Sequence, residues 1–192
     1  MRRIDTAAVN RLILDCILKG CSVQEMFSQV YDLIHLPLNY FDTAFRLIAN
    51  ALPRPFPYEP WEKMAENGGA SNEDIITRNY LFFQEKMYAA GKSILFTDEE
   101  LETRNFSQAC GPVIINDVLL GYMGTMVEDA YPEDALQIND LIIRGIAVLS
   151  LTRKHTVILE DLRLEHFLTG QSVTNAEINS FEQLYAPPYI FI

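Results

Sequence analysis

Val113-Ile114-Ile115-Asn116-Asp117-Val118-Leu119-Leu120 is a pair of apolar, β-branched runs around a two-residue turn signal. Asn and Asp both tolerate positive φ, so the stretch predicts a β-hairpin. The second strand continues through Gly121-Tyr122-Met123-Gly124-Thr125-Met126-Val127, and another runs from Phe106 to Cys110 just before the first. Upstream, Leu36-Pro37-Leu38-Asn39-Tyr40-Phe41 and Phe45-Arg46-Leu47-Ile48-Ala49 are short and aromatic-rich, joined by Asp42-Thr43-Ala44. They read as two more strands about a tight turn, and Ser93-Ile94-Leu95-Phe96 as a further one. A mostly antiparallel sheet follows.

Helices frame these strands. Asp5 or Thr6 caps a first helix that runs to Lys19 and stops at Gly20. Ser22-Val23-Gln24-Glu25 is a capping box opening a second helix, with Val23, Met26, Phe27, Val30 and Ile34 on its inner face. Trp61 to Asn67 is a short helix, and Ser71 or Asn72 caps another from Glu73 to about Ala90. Tyr131-Pro132-Glu133-Asp134 begins a long helix over 133–168, with proline and acids in the first turn. At helical rise it spans roughly 54 Å, longer than a small domain needs. Pro53, Pro55, Pro57 and Pro60 fall in one stretch, read as a stiff surface connection or as a lid over a pocket.

These elements assign 1–169 to one domain that includes the long helix. Residues 170–192 read as a linker and the truncated start of a following domain, because Pro187-Pro188-Tyr189-Ile190-Phe191-Ile192 resembles a buried strand entering a sheet.

Composition narrows the function. Hydrophobic residues are 49% and charged residues 21%, which marks a globular chain. A net charge of -11 argues against nucleic-acid binding by this segment, since phosphate affinity needs clustered Lys and Arg. Three cysteines suit a reducing, cytoplasmic setting. No signal peptide or membrane span is legible, because Arg144 interrupts the most apolar stretch.

Catalytic signatures are missing. His155 and His166 lie eleven residues apart on the long helix, about 16 Å, so they cannot share one metal. Cys16 and Cys21 suit no zinc pattern, and there is no phosphate loop or nucleophile elbow. The expectation is no enzyme activity, no metal and no cofactor. Asp98, Glu99, Glu100 and Glu102 read as a solvated loop. Trp61, Tyr80, Phe82, Phe83, Tyr88, Phe96, Phe106 and Tyr122 cluster between the mid-chain helices and the sheet. Such aromatics build either a core or an apolar small-molecule pocket. As a pocket, Tyr80, Phe83, Phe96 and Tyr122 line it, and Arg104, with Arg78, supplies polar groups for an acidic ligand. The first helix carries apolar residues on more than one side, and Leu141 to Leu149 is apolar nearly all round. Both point to a homodimer in which Val9, Leu14, Leu18, Ile142 and Leu149 meet a partner.

With these elements in order, the chain resembles the N-terminal sensory region of the PucR/CdaR-type bacterial transcription regulators, which control purine catabolism and sugar-diacid use. The resemblance rests on Tyr40-Phe41-Asp42-Thr43-Ala44-Phe45, the hairpin Ile114 to Tyr122, the helix start Tyr131-Pro132-Glu133-Asp134, and Leu164-Glu165-His166-Phe167-Leu168-Thr169-Gly170. The last is similar to the Leu-x-x-Leu-Leu-x-Gly that closes the signalling helix there. Two features depart from that pattern: Asn116-Asp117 replaces an Asn-Gly turn, and the four-proline loop is unusual. The resemblance implies an α+β, GAF-like fold related to PAS domains, with five or six antiparallel strands, flanking helices and a long C-terminal signalling helix. It implies a ligand-sensing, dimerising input domain for an unidentified small-molecule effector, with DNA bound only through a C-terminal helix-turn-helix outside this chain. A ligand-free dimerisation spacer, or the input domain of a signalling enzyme, stands as the alternative.

Overall fold

The computed structural model describes residues 3–53, 55–56, 58–77, 80–97, 99–101, 106–127 and 131–169. The chain divides into two units, Met1–Leu149 and Ser150–Ile192. In the first, helices α1 (Thr6–Leu18) and α2 (Val23–Ile34) precede strands β1 (Leu38–Asp42) and β2 (Leu47–Ala51). Helices α3 (Glu59–Asn67), α4 (Asn72–Thr77) and α5 (Tyr80–Ala90) come next, then β3 (Ile94–Phe96), β4 (Ser107–Ile115) and β5 (Val118–Val127). Helix α6 is Pro132–Thr169; of the second unit, residues 150–169 are described and are helical, and 170–192, the expected linker and next-domain start, lie outside the described residues.

The strands form one five-stranded sheet in the order β2-β1-β5-β4-β3, every pairing antiparallel. The expected hairpin is its centre. Asn116 and Asp117 adopt φ of 48° and 62°, the two left-handed residues of a type I′ turn. Where the sequence suggests two strands, Phe106–Cys110 and Val113–Ile115, there is one continuous β4. Pro112 is tolerated inside it because β3 ends opposite Cys110, so β4 is already an edge at that point and loses no ladder bond. The expected Glu73–Ala90 helix is described as α4 and α5, with 78 and 79 outside the described residues. Pro60 stands in the first turn of α3, where its missing N–H costs nothing.

Local chemistry sets the other ends. The Asp5 side chain accepts from the Ala8 N–H, and Ser22 and Glu25 complete the capping box reciprocally. Between β1 and β2, Asp42 Oδ1 accepts from the N–H groups of Ala44 and Arg46, both at 2.9 Å. At the other end of the unit, Asp134 in the first turn of α6 accepts from the Ile4 N–H (3.0 Å) and the Arg3 guanidinium (2.8 Å), tying the start of the chain to α6.

One sheet face carries the main core. Ala135, Ile138, Ile142, Ile146 and Leu149 step along α6 at intervals of three and four, one helical face, and pack with Val9, Ile13 and Cys16 of α1 and Met26, Phe27 and Val30 of α2. This corrects the dimer expectation for three residues. Val9, Ile142 and Leu149 are buried inside the single chain, so they have no surface to lend a partner. The near-continuous apolar run on α6 is explained by two neighbours of the same chain, the sheet on one side and the α1–α2 pair on another.

Gly145 is where those helices meet. A Cβ there would lie 2.7 Å from Ile13 Cγ2 and 3.0 Å from Met26 Sδ. Alanine in a helix interior is normally preferred over glycine by about 1 kcal/mol, but overpacking against a stiff β-branched neighbour costs about 1–3 kcal/mol. The second effect wins. Gly145→Ala is expected to lower unfolding free energy by about 1 kcal/mol in urea titration, and an increase would show that α1 and α2 do not press on α6.

Candidate functional site

The opposite sheet face is built differently. Alternation along β5 turns Tyr122, Gly124 and Met126 toward it, while Met123 and Val127 enter the main core. Neighbouring strands add Asn39 and Phe41 from β1, and Gln108 and Cys110 from β4. The register sets Asn39 and Cys110 on either side of Gly124, with Phe41 beside Tyr122. Above this floor stand Trp61 and Met64 of α3, Tyr80, Phe83 and Met87 of α5, and Phe96 of β3. They do not close down on it. Between floor and cover lies a cavity of about 350 Å³, inside the range of roughly 300–1,000 Å³ typical of small-molecule sites.

Gly124 makes room on the floor for its neighbours' side chains. A Cβ there would come within 2.6 Å of Asn39 Oδ1, so the Asn39 amide leans across a space that only glycine leaves. Phe45, at φ 59°, holds a left-handed conformation that a bulky side chain rarely adopts, with its ring 5.7 Å from that of Tyr80 at the cavity wall. Phe83 and Phe96 meet edge-to-face at 4.9 Å. Ring contacts thus tie parts of the cover together.

The polar groups are few and specific. Asn39 is 6% exposed and Gln108 7%. Gln108 Oε1 accepts from Cys110 Sγ at 3.7 Å, while its nitrogen and both polar atoms of the Asn39 side chain have no partner among the described residues. Gln84 Nε2, on the cover, is buried and likewise unpartnered. Glu100 at the rim is held below the usual carboxylate range, first by its hydrogen bond from Lys86 Nζ (2.7 Å) and then by the Thr97 N–H. That ammonium also sits 5.1 Å from the Phe96 ring centre. Burial pushes the Cys110 thiol up to about 12, so it stays protonated at neutral pH. Burial raises the Tyr122 hydroxyl as well.

No family model and no curated protein matches the sequence. Solved structures do. The GAF domain of nlh2 from A. aeolicus, in an inactive state, superposes with a TM-score of 0.50 at 12% identity, over 77% of this chain and 96% of that one. The fold is a GAF fold. The phycocyanobilin-bound GAF domain of a cyanobacterial phytochrome matches at TM-score 0.48 and 15% identity (80% and 97% covered). The E. coli DhaR(N)–DhaL complex matches at 0.46 and 11% (88% and 58% covered). Identities this low speak to fold alone.

Within this GAF fold the structure brings Tyr80, Phe83, Phe96 and Tyr122 to one cavity, between the sheet and α5. Trp61 and Phe82 join them; Phe106 instead packs on Phe56 and Tyr58, and Tyr88 faces outward. Arg78 and Arg104 lie outside the described residues. Of the proline-rich stretch, Phe56 is buried against Trp61 and Tyr58 forms part of the cavity wall. Of the expected dimer residues, Leu14 and Leu18 on α1 are 50% and 84% exposed. Sequence reasoning passed over Asn39, Gln108 and Gly124. A polar residue interrupting the inward side of an apolar strand was the available signal, in Leu38-Asn39-Tyr40 and in Gln108-Ala109-Cys110. Among the described residues no group of three or more His, Cys, Asp or Glu is placed to hold a metal, and no helix is long and apolar enough to cross a membrane.

The cavity floor is wired to α6. Thr125, next to Gly124 but facing the other way, donates its hydroxyl to Asn139 Oδ1 at 2.7 Å. Asn139 Nδ2 donates to Ser93 Oγ (2.9 Å), and the Ser93 N–H donates to Asp140 Oδ1 (3.1 Å). Ser93 leads directly into β3, which carries Phe96.

Thiol chemistry checks the burial. Burial, then the contact with Cys21, raises Cys16 to about 11, and Cys110 stands at about 12. Raised thiol pKa values mean scarce thiolate at pH 8. With Ellman's reagent, Cys16 and Cys110 are expected to react fully only on unfolding. A fast-reacting thiol assigned to Cys110 in the folded protein would show that the cavity floor is open to reagent.

Proposed function

We infer that this chain is a ligand-sensing input domain. It binds a small molecule in the cavity without transforming it and passes occupancy to helix α6. The observation that carries this is the pairing of a preformed aromatic cavity, floored by unpartnered amides, with the Thr125–Asn139–Ser93 chain on the other side of the same strand. Catalysis has little support: the cavity thiol is protonated, and Glu100 is tied to Lys86.

The sequence resemblance to PucR/CdaR-type regulators supports transcriptional output, through a DNA-binding domain beyond residue 192 and in the cytoplasm. Residues 1–169 form the sensing part in this reading, and 170–192 lead to the next domain. A kinase or cyclase domain encoded after Ile192 would replace this output with the signalling-enzyme one. The protein acts as a homodimer. Leu14 and Leu18 are one helical turn apart on the open face of α1, and a self-complementary pairing of that face sets two copies of α6 in symmetric positions.

A thermal-shift screen of purines, sugar acids and amino acids tests the sensing reading. A ligand present at a hundred times its Kd adds about 2.7 kcal/mol, a rise of roughly 5–10 °C for a domain of this size. Gly124→Val fills the floor and is expected to abolish the rise while leaving a cooperatively unfolding protein. No shift with any metabolite would favour the ligand-free spacer.

For assembly, Leu14→Lys combined with Leu18→Lys is expected to convert a dimer to a monomer by light scattering, with the unfolding transition retained. A wild-type monomer at micromolar concentration would end the dimer reading.

A further inference from the structure

We propose that the cavity selects an uncharged, flat heterocycle that presents a hydrogen-bond donor and acceptor side by side, as a lactam or cyclic ureide does, and that Asn39 and Gln108 read it. This rests on the sensing reading above and specifies its ligand.

Three observations converge. The first is charge. Among the described residues lining the cavity the one ionised side chain is Glu100, and Lys86 neutralises it at 2.7 Å. A carboxylate or phosphate entering an apolar chamber loses its hydration and meets no cation on the described walls, a heavily unfavourable exchange. An uncharged ligand escapes that cost.

The second is shape. Gly124 lets the Asn39 amide lie over the centre of the floor, and the cover opposite is made of rings, Trp61, Tyr80, Phe83 and Phe96 among them. A slot between an amide and aromatic side chains accepts a planar ring by stacking and wastes volume on a puckered one.

The third is the orphaned amides. Asn39 and Gln108 are more than nine-tenths buried, and what exposure they keep faces the cavity. They stand on β1 and β4, either side of β5, with Gln108 displaced by two residues, so their backbones are about 12 Å apart across Gly124. Each amide offers a donor and an acceptor. Unpartnered amides lining a largely apolar cavity have hydrogen bonds to offer a ligand, and a ligand edge carrying N–H beside C=O pairs with an amide in both directions at once. Gln84 Nε2, buried and unpartnered on the cover, is a further donor in the cavity lining.

Ligand-observed NMR titration of the full 192-residue chain with three two-ring probes separates the possibilities: 2-quinolone, a neutral lactam; quinoline-2-carboxylate, an anion; and naphthalene, a hydrocarbon. The expected result is 2-quinolone binding at least tenfold tighter than either of the others. Asn39→Ala and Gln108→Ala should each weaken 2-quinolone by about threefold to tenfold, the weight of one neutral hydrogen bond, and leave naphthalene unchanged. Where an alanine variant loses cooperative unfolding, the near-isosteric Asn39→Leu and Gln108→Met take its place. Tighter binding of the carboxylate overturns the proposal in favour of an anion site. Equal binding of naphthalene, or indifference of 2-quinolone to all these substitutions, overturns it in favour of a purely apolar cavity. Failure of all three probes to bind overturns it as well, and each of these results leaves the sensing reading to the metabolite screen.

Discussion

Strand β5 carries the molecule, because it must satisfy two different surroundings at once. Held between β1 and β4 from Gly121 to Thr125, it has no free edge there, and its side chains alternate between a packed helix layer and an open cavity. Met123 and Val127 belong to the core that α6 closes; Tyr122 and Gly124 belong to the cavity. A slip of one residue would send the cavity residues into the core and bring buried methionine and valine to the cavity face. The type I′ turn at Asn116-Asp117 fixes that register, with a bulge just beyond it, between Val113 and Ile114, adjusting the twist.

That double duty explains a buried polar chain in an otherwise apolar layer. Thr125 and Asn139 are fully buried, and Ser93 nearly so. Each could be an aliphatic residue if filling space were the whole task, and mutual satisfaction makes the polar set tolerable rather than strongly stabilising. What it adds is direction. Apolar contacts are non-directional, whereas a hydrogen bond of 2.7 Å specifies one position of Asn139 over Thr125. Because Ser93 closes the chain, α6 is referenced both to β5, the cavity floor, and to the segment leading into β3, a cavity wall.

Much of this was legible from residue order. The hairpin, the capping box at Ser22, the proline-led start of α6 and the antiparallel sheet all follow from local chemistry that tertiary packing did not override. Tyr80, Phe83, Phe96 and Tyr122 share one cavity, whereas Phe106 and Tyr88, expected beside them on the same aromatic pattern, lie elsewhere. What escaped depends on the third dimension. Asn39 and Gln108 reach one cavity only through the register of β1 and β4 against β5, and nothing in their local sequence reveals that. Val9, Ile142 and Leu149 were misjudged because an apolar surplus on a helix does not say which neighbour absorbs it; here α1, α2 and α6 absorb one another's.

The two sheet faces also differ in how much they can yield. The helix side is one continuous cluster that joins α1, α2, α6 and four of the strands. The cavity side holds two separate clusters, one around Trp61 and Met126, the other around Met87 and Phe96. The space between them is the cavity itself. A layer divided in this way has fewer apolar contacts holding α3 and α5 to the sheet, which places it at the low-stability end of the domain. A molecule filling that space would touch both clusters. On the proposed sensing role, its stabilisation would fall on the cover and floor while the helix layer stays packed, so the part that responds would be the part that the Thr125–Asn139–Ser93 chain connects to α6.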